Sequence, residues 1–208
     1  MFSFFENQPT LSEIGTMGVD HFVKAFQLSD GSFINCFIYD TCGQERYNSI
    51  NLTYYKKADA VLLVYDISNI KSFKKIRDFY VDKIKECCKE NIPILLLGNK
   101  TDLENKRQVT KEMGIELALK EKYEFKESSC IENKNVAGAF ESLVENWNFK
   151  RHKTENILNN NILNVNTDDD NSIFSYVPNS RQTISLNSKN HRFSKSKLKK
   201  CCTSLKIK

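Results

Sequence analysis

The chain has 208 residues, a formal net charge of +5 and a hydrophobic fraction of 40%. Its length suits one domain with an appendage. The mild positive charge, without a compact basic motif interleaved with aromatic residues, argues against a nucleic-acid partner. The seven cysteines have neither zinc-site nor disulfide-framework spacing. No window is apolar enough to span a bilayer, and the first residues do not resemble a secretory signal. We therefore expect reduced thiols and an intracellular chain.

The first predicted element is a β-hairpin. Residues 22–28 alternate between apolar and polar side chains, and residues 33–39 form a second extended run. Asp30 and Gly31 between them supply the residue types of a tight turn. The hairpin should therefore end at Asp40, where the chain becomes polar.

Beyond the hairpin, strands and helices alternate. Residues 60–65 and 92–97 are continuous apolar runs, typical of strands buried on both faces. Residues 71–89 and 111–122 show helical spacing, and another helical pattern begins at Val136. The predicted fold class is therefore α/β, with a mostly parallel sheet flanked by helices.

The regular pattern stops near Lys153, so we predict one domain over residues 1–153 and a tail over residues 154–208. The tail is rich in Asn and Ser and has few residues that could build a core, which predicts disorder. Near its end is a basic cluster that directly precedes Cys201 and Cys202. The cluster consists of Lys189, Arg192, Lys195, Lys197, Lys199 and Lys200.

Residues 40–47 carry the most informative pattern, at the end of the hairpin's second strand. Asp40 could hold Mg²⁺ through water, and the backbone N–H of Gly43 could approach a phosphate. Gln44 could orient an attacking water. A carboxylate, a glycine and a glutamine in this order at a strand end predict a nucleotide switch.

Three further loops complete the candidate site. Residues 99–102 follow the strand at 92–97, and the carboxylate of Asp102 could accept two N–H bonds from a guanine edge, a pair that adenine does not offer. Residues 127–130 follow a short strand at 124–126 and could support the same base. Thr16 precedes the hairpin and could close over Mg²⁺ and a terminal phosphate, as a loop that orders in one nucleotide state.

Together these residues resemble the Rab branch of the Ras-like small GTPases, over about residues 10–150. The family pattern D-T-A-G-Q-E-R-[FY] appears at residues 40–47 with Cys42 in place of alanine, and N-K-x-D appears at residues 99–102. Three other Rab-type segments fall in order. They are I-G-V-D-F at residues 17–22 with one extra residue, Y-Y-[KR] at residues 54–56, and L-V-Y-D-[IV]-[TS] at residues 63–68.

The resemblance implies a small-GTPase sheet and a site for GTP or GDP with Mg²⁺. Thr16 and Asp40 would serve the metal, and Gln44 would position the water for GTP hydrolysis. Lys100 would pack along the base. The full implied nucleotide site is Asp40, Thr41, Cys42, Gly43, Gln44, Asn99, Lys100, Thr101, Asp102, Ser129 and Cys130.

The resemblance also implies a role, a switch that regulates vesicle-mediated and intracellular protein transport. Effectors would bind residues 15–22 and 42–57 in one nucleotide state. An exchange factor and a GTPase-activating protein would set the balance between states.

The printed sequence departs from the family pattern in two places. It contains no G-x-x-x-x-G-K-[ST] phosphate loop, which the family carries about twenty residues before the switch threonine. The strand before that loop should also be missing, which would leave the edges of the strands at 33–39 and 60–65 facing a gap and prone to aggregation. Ile131 stands where the family has lysine. An alternative is therefore a pseudo-GTPase or incomplete chain that acts as a nucleotide-independent effector-binding module.

The C-terminal cysteines predict membrane attachment. A polybasic segment is attracted to an anionic leaflet, and two lipid chains make attachment stable where one is only reversible. The resemblance implies geranylgeranyl groups on Cys201 and Cys202, with palmitoylation as the chemical alternative. The expected location is the cytoplasmic face of an intracellular membrane or the plasma membrane, with a cytosolic pool.

Overall fold

The computed structural model describes residues 19–41, 48–165 and 202–207. Within these residues, six strands form one sheet in the order β1-β2-β6-β3-β4-β5. The strands are β1 (Val19–Gln27), β2 (Phe33–Thr41), β3 (Ala60–Asp66), β4 (Ile94–Asn99), β5 (Glu124–Ser128) and β6 (Cys202–Ile207). The α/β class is confirmed.

The predicted hairpin is present as β1 and β2, which pair antiparallel from Val19 opposite Thr41 to Gln27 opposite Phe33. The turn is closed by Asp30, whose Oδ1 accepts hydrogen bonds from the backbone N–H and the hydroxyl of Ser32. Gly31 has a φ of +83°, a conformation that glycine adopts without steric cost. The turn residues thus set the register of both strands.

Strands β3, β4 and β5 pair in parallel and carry the continuous apolar runs. Alternate residues of β3 face two separate cores. Leu62 packs with Phe140 and Leu143 on one face, and Leu63 packs with Ile76 on the other. The sheet is parallel only in this half, because β1, β2 and β6 are antiparallel to their neighbours. The prediction of a mostly parallel sheet therefore needs correction.

The gap that the sequence predicted between β2 and β3 is filled by β6, which is antiparallel to both. Backbone pairing and the burial of Leu205 and Ile207 cover the two strand edges. The expectation of exposed, aggregation-prone edges is therefore wrong for this structure, because the chain's own C-terminal segment closes the sheet.

Five α-helices lie in the described ranges, namely α1 (Asn48–Lys57), α2 (Ile70–Lys75), α3 (Val81–Cys87), α4 (Lys111–Glu121) and α5 (Val136–Val165). The single helix predicted over residues 71–89 is instead α2 and α3 joined by a π-helical turn, Ile76–Tyr80. Helix α4 begins at the Thr110 cap, whose hydroxyl accepts a hydrogen bond from the Met113 N–H, and ends at Lys122 in the left-handed conformation. Such caps satisfy backbone groups that the helix ends would leave unpaired.

Two parts of the predicted disordered tail are regular elements. Helix α5 continues through Val165, beyond the boundary set at Lys153, and residues 202–207 form β6. Composition did not indicate either one. The helix continues an amphipathic element whose first turns pack on the sheet. The strand becomes regular by pairing with two strands that are far from it in sequence. Residues 166–201 lie outside the described residues, so disorder there stays a prediction.

Candidate functional site

The predicted site residues meet where β3, β4 and β5 end side by side. Asp66 is paired with Asn99, and Asn99 is paired with Ser128. Because the three strands are parallel, the loops after them emerge at the same edge of the sheet, the usual ligand-binding edge of open α/β folds.

Asn99 is buried, with 7% of its surface exposed. Its Oδ1 accepts hydrogen bonds from the Ser128 hydroxyl at 3.2 Å and from the Cys130 thiol at 3.5 Å. Both contacts use the carbonyl oxygen, so the two N–H donors of the amide are kept for other acceptors. The amide is therefore held in one orientation by the last residue of β5 and by the loop after it.

Asp102 is oriented by Ser129, whose hydroxyl donates to Asp102 Oδ1 at 2.6 Å. The same hydroxyl accepts from the Glu132 N–H at 3.1 Å, and Ser129 is fully buried. One carboxylate oxygen is thus fixed by the protein, while the carboxylate keeps further lone pairs to accept from a ligand. The sequence predicted that residues 127–130 support the base, and the structure adds this side-chain contact of Ser129.

Lys100 pairs with Asp66, a residue that the sequence did not assign to the site. The distance from Lys100 Nζ to Asp66 Oδ2 is 2.6 Å, and Lys100 has a φ of +72°. Burial disfavours the charged form of Asp66, but hydrogen bonds from Lys100 and Ser68 outweigh it and lower the pKa of the carboxyl. The available signal was the L-V-Y-D pattern, in which this aspartate ends the strand.

Arg107 joins the segment that carries Asp102 to strand β5, which leads directly to Ser129. Its guanidinium donates to Glu127 Oε1 at 2.7 Å and to Glu104 Oε2 at 2.7 Å. These hydrogen bonds raise the pKa of Arg107. A cleft of about 650 Å³ lies alongside, with Thr101 and Lys134 in its wall. Bidentate contacts of this kind fix geometry, so Arg107 is a positioning residue that the sequence patterns did not indicate.

Asp40 and Thr41 lie at the end of β2, and Asp40 is fully buried. Strand β6 separates β2 from β3, so these two residues approach the edge two strands away from Asp66. Thr16, Cys42, Gly43, Gln44 and Cys201 lie outside the described residues. The structure therefore brings together the base-reading half of the predicted site.

The described residues hold no group of three His, Cys, Asp or Glu side chains arranged to bind a metal ion. Mg²⁺ beside a nucleotide usually takes only one or two carboxylates together with phosphate oxygens, so Asp40 remains compatible with the predicted role. Among the helices in the described ranges, none is long and apolar enough to cross a membrane.

An α/β sheet with an N-K-x-D loop backed by a buried serine is the arrangement expected of the class of Ras-like small GTPases. The model of the Ras family matches residues 1–149. Ras-related protein Rab-8A of Bos taurus is 40% identical over 153 residues, which cover 74% of this chain and 73% of the relative. Ras-related protein Rab-8B of Bos taurus is 37% identical over 159 residues, 76% of each chain.

Rab-8A of Gallus gallus is 39% identical, over 74% of this chain and 73% of the relative. The chain therefore belongs to the Ras family and is a Rab-like small GTPase within it. This confirms the resemblance found in the sequence.

Proposed function

We propose that this Rab-like chain is a GTP- and GDP-binding switch that regulates vesicle-mediated membrane traffic. The observation that carries the proposal is the arrangement of Asn99, Asp102 and Ser129 at one edge of the sheet. Their hydrogen bonds orient an amide and a carboxylate before any ligand arrives. Such preorganisation lowers the cost of ordering side chains upon binding.

The base is selected by the acceptor capacity of Asp102. Guanine offers two neighbouring N–H groups that a carboxylate can accept, whereas adenine would leave the same oxygens without donors. An unsatisfied buried polar group costs about 1–3 kcal/mol, which corresponds to roughly fivefold to 150-fold in affinity. Guanine over adenine is therefore the expected preference.

The phosphate end of the site is proposed from the family resemblance. Bound Mg²⁺ would neutralise phosphate charge, with Thr16 and Asp40 as the residues that hold it. Gly43 would donate its backbone N–H to the terminal phosphate, and Gln44 would orient the attacking water. Hydrolysis would be slow and accelerated by an activating protein, and an exchange factor would restore the GTP state.

Effectors would bind residues 15–22 and 42–57 in one nucleotide state. Tyr54, in the second of these segments, packs on Tyr39 of β2 with ring centroids 4.8 Å apart. This contact supports the proposal because it links helix α1 to the outer hairpin. A surface that joins both could sense a change in either switch segment.

Membrane attachment is proposed through lipids on Cys201 and Cys202, aided by the basic cluster that precedes them. The basic side chains would favour an anionic cytoplasmic leaflet, and two lipid chains would make attachment stable. The chain would then act at an intracellular or plasma membrane and exchange with a cytosolic pool.

A second candidate function is a nucleotide-independent module that binds effectors through the same surfaces. It is favoured by Ile131, which stands where the family has lysine and is 61% exposed. A lysine stem at that position would pack beside the base, so its replacement weakens one contact of the guanine site.

A nucleotide titration separates the two functions. We expect the 208-residue chain to bind fluorescent GTP and GDP with micromolar or tighter affinity in Mg²⁺, and to bind ATP at least tenfold more weakly. Asp102→Asn should weaken GTP binding by tenfold or more. Asp82→Asn makes the same chemical change on the exposed face of α3 and should leave affinity unchanged. No guanine-nucleotide binding by the chain would favour the module.

A further inference from the structure

A cleft of about 650 Å³ lies against β5, the strand at one end of the sheet order. Its walls come from segments that lead into both layers of helices, because α4 packs on one core of the sheet and α5 on the other. Its volume is within the range of roughly 300–1,000 Å³ that is usual for small-molecule sites. We call it the β5 cleft. Its lining includes Thr101, Arg107, Lys111, Phe125, Lys134 and Gly138.

Cationic side chains outnumber carboxylates in the β5 cleft. Its lining contains Arg107 and three lysines, but only two carboxylates, Glu104 and Glu127. Both carboxylates bind the Arg107 guanidinium, each at 2.7 Å. Because these three side chains satisfy one another, the lysines are the cations that remain to attract a ligand.

Two of the three lysines have no ion-pair partner. Lys126 lies 3.3 Å from Glu124 Oε1 and donates to the Gly138 carbonyl. Among the residues that the structure describes, none forms an ion pair with Lys111 or Lys134, and both lysines are exposed. Lys111 begins α4 and Lys134 precedes α5. The two unpaired charges therefore belong to separate walls of the cleft.

The unpaired lysines favour phosphate over carboxylate as the ligand group. A planar carboxylate is best matched by the parallel N–H groups of an arginine, and Arg107 is already occupied by two carboxylates. Lysine binds phosphate as a point charge with three rotatable donors. Because Lys111 and Lys134 stand on separate segments, a ligand with more than one phosphate group could engage both at once.

The walls of the β5 cleft are continuous with the segments that orient Asp102. Lys134 and Ser129 exchange backbone hydrogen bonds of 2.9 and 3.0 Å, and the Ser129 hydroxyl holds Asp102. Thr101 directly precedes Asp102, and Arg107 ties the same turn to β5. A ligand held against these walls would therefore stiffen the support of the proposed base-reading carboxylate.

We propose that the β5 cleft binds a small, multiply phosphorylated ligand through Lys111 and Lys134, and that this binding tightens the proposed guanine site. The ligand is either a soluble molecule or the headgroup of a phosphorylated lipid, since both present the same chemistry. Guanine binding is tightened because the support of Asp102 is ordered in advance. Only this coupling rests on the proposed function, and the cleft site does not.

A titration with inositol trisphosphate tests the cleft without any guanine nucleotide. We expect the 208-residue chain to bind it with micromolar affinity in a calorimeter at low salt, where charges are least screened. The cleft variant, Lys111→Met with Lys134→Met, should bind at least tenfold more weakly. No binding by the unmodified chain would overturn the proposal.

The matched control for the cleft variant is Lys120→Met with Lys153→Met. It removes the same charge from exposed positions elsewhere in α4 and α5, so a general loss of positive charge would weaken both variants alike. We expect the control to keep the affinity of the unmodified chain. Equal affinities in the cleft variant and the control would overturn the site.

The basic cluster near the end of the chain needs a control of its own, because its side chains could also attract phosphate groups. Lys197→Met with Lys199→Met should change the affinity for inositol trisphosphate less than twofold. A loss of affinity confined to this variant would place the binding in the tail and overturn the cleft site.

Vesicles that contain phosphatidylinositol bisphosphate distinguish the two sources of the ligand. A lipid headgroup predicts that the cleft variant binds these vesicles at least fivefold more weakly than the matched control does. Equal vesicle binding, together with the loss of inositol trisphosphate affinity, would support the cleft site and assign it to a soluble ligand.

The affinity for GDP tests the coupling. Saturating inositol trisphosphate should lower the Kd for GDP at least threefold in the unmodified chain and in the matched control, but not in the cleft variant. Linkage requires saturating GDP to tighten inositol trisphosphate binding by the same factor. An unchanged Kd for GDP would overturn the coupling. A chain that binds inositol trisphosphate but no guanine nucleotide would contradict the proposed function and support the cleft site.

Discussion

Ser129 is a small residue whose hydroxyl orders two parts of the proposed base-binding site. Its hydroxyl donates to Asp102 Oδ1 at 2.6 Å and accepts from the Glu132 N–H at 3.1 Å. Because the serine is fully buried, water does not readily replace either hydrogen bond. Ser129 thus connects the loop after β5 to the residue that would read the base.

Ser129→Ala should therefore weaken guanine binding. The carboxylate of Asp102 would lose its fixed orientation, and the Glu132 N–H would lose its acceptor. We expect a loss of about 1–2 kcal/mol, roughly fivefold to thirtyfold in GTP affinity, measured by titration with fluorescent GTP. Ser32→Ala removes a hydroxyl that also bonds a carboxylate, in the hairpin turn, and should leave affinity unchanged. Equal affinities in both variants would show that Asp102 is oriented by other contacts.

The Lys100–Asp66 ion pair predicts a specific pH dependence. The side chains are 38% and 19% exposed, so solvent screening limits the pair to about 1 kcal/mol. The pKa of Asp66 is lowered in the folded state. Its stabilisation is therefore full above the unfolded pKa, about 3.9, and is lost as the pH falls through the lower folded value.

We expect Lys100→Met to lower the free energy of unfolding by about 1 kcal/mol at pH 7. The difference from the unmodified chain should shrink as the pH falls below 4, because Asp66 then becomes protonated in both proteins. Urea unfolding at pH 7, 5 and 3 measures both values. A difference that stays constant down to pH 3 would mean that the effect of the substitution is not electrostatic.

At the scale of elements, helix α4 packs on the sheet through a glycine. A Cβ at Gly114 would lie 2.5 Å from Phe125 Cε2 and 2.6 Å from the Tyr65 hydroxyl. Both rings belong to the core on that face of the sheet. The helix can therefore approach the sheet this closely only because Gly114 has no side chain. The glycine is not needed here for an unusual backbone conformation.

Gly114→Ala should destabilise the domain by about 1–3 kcal/mol, the usual cost of overpacking a core. Gly138→Ala provides the matched control in α5, where a Cβ would meet no atom within 4 Å. There the substitution should stabilise the domain by about 0.5–1 kcal/mol, through helix propensity. Urea unfolding of both variants measures the two effects. A stabilising Gly114→Ala would contradict the observed packing.

The elements that the sequence predicted are those whose signal is local. The hairpin, the apolar strands and helix α4 all follow from short-range periodicity and turn residues. The split of the helix at residues 71–89 did not follow, because a π-helical turn keeps a nearly helical pattern of apolar residues. Nor was α1 predicted, because its mean hydropathy is low and its apolar residues show little helical periodicity.

The placement of the candidate site residues at one edge of the sheet was predictable from the sequence, but their side-chain contacts were not. The motifs placed Asn99, Asp102 and Ser129 in adjacent loops, because parallel strands share one edge. The serine-to-carboxylate hydrogen bond and the role of Arg107 depend on side-chain geometry between segments far apart in sequence. Local patterns do not report such geometry.

At the scale of the whole molecule, the sheet joins two different halves. The parallel half, β3 to β5, carries the proposed base-reading loops, and the antiparallel half, β1 and β2, carries Asp40. Strand β6 connects the halves and comes from the end of the chain. Its place was not predictable from composition, since a partly polar segment becomes a central strand only where two apolar edges accept it.

Because the proposed base-reading loops follow two paired strands of the sheet, β4 and β5, nucleotide binding should stabilise the folded domain. A ligand that binds only the folded state adds about 2.7 kcal/mol when present at a hundred times its Kd. For a domain of this size the corresponding rise in Tm is roughly 5–10 °C. We therefore expect saturating GDP to raise the Tm of the 208-residue chain by that amount in a calorimetric scan.

The control for this shift is the same scan with Asp102→Asn, which should show a much smaller rise at the same GDP concentration. The free energy added by a ligand depends on the ratio of its concentration to Kd. A variant with tenfold weaker affinity therefore loses about 1.4 kcal/mol of it. If ATP raised the Tm as much as GDP did, the guanine selectivity assigned to Asp102 would be wrong. An equal rise in both proteins would mean that GDP binds away from the loops after β4 and β5.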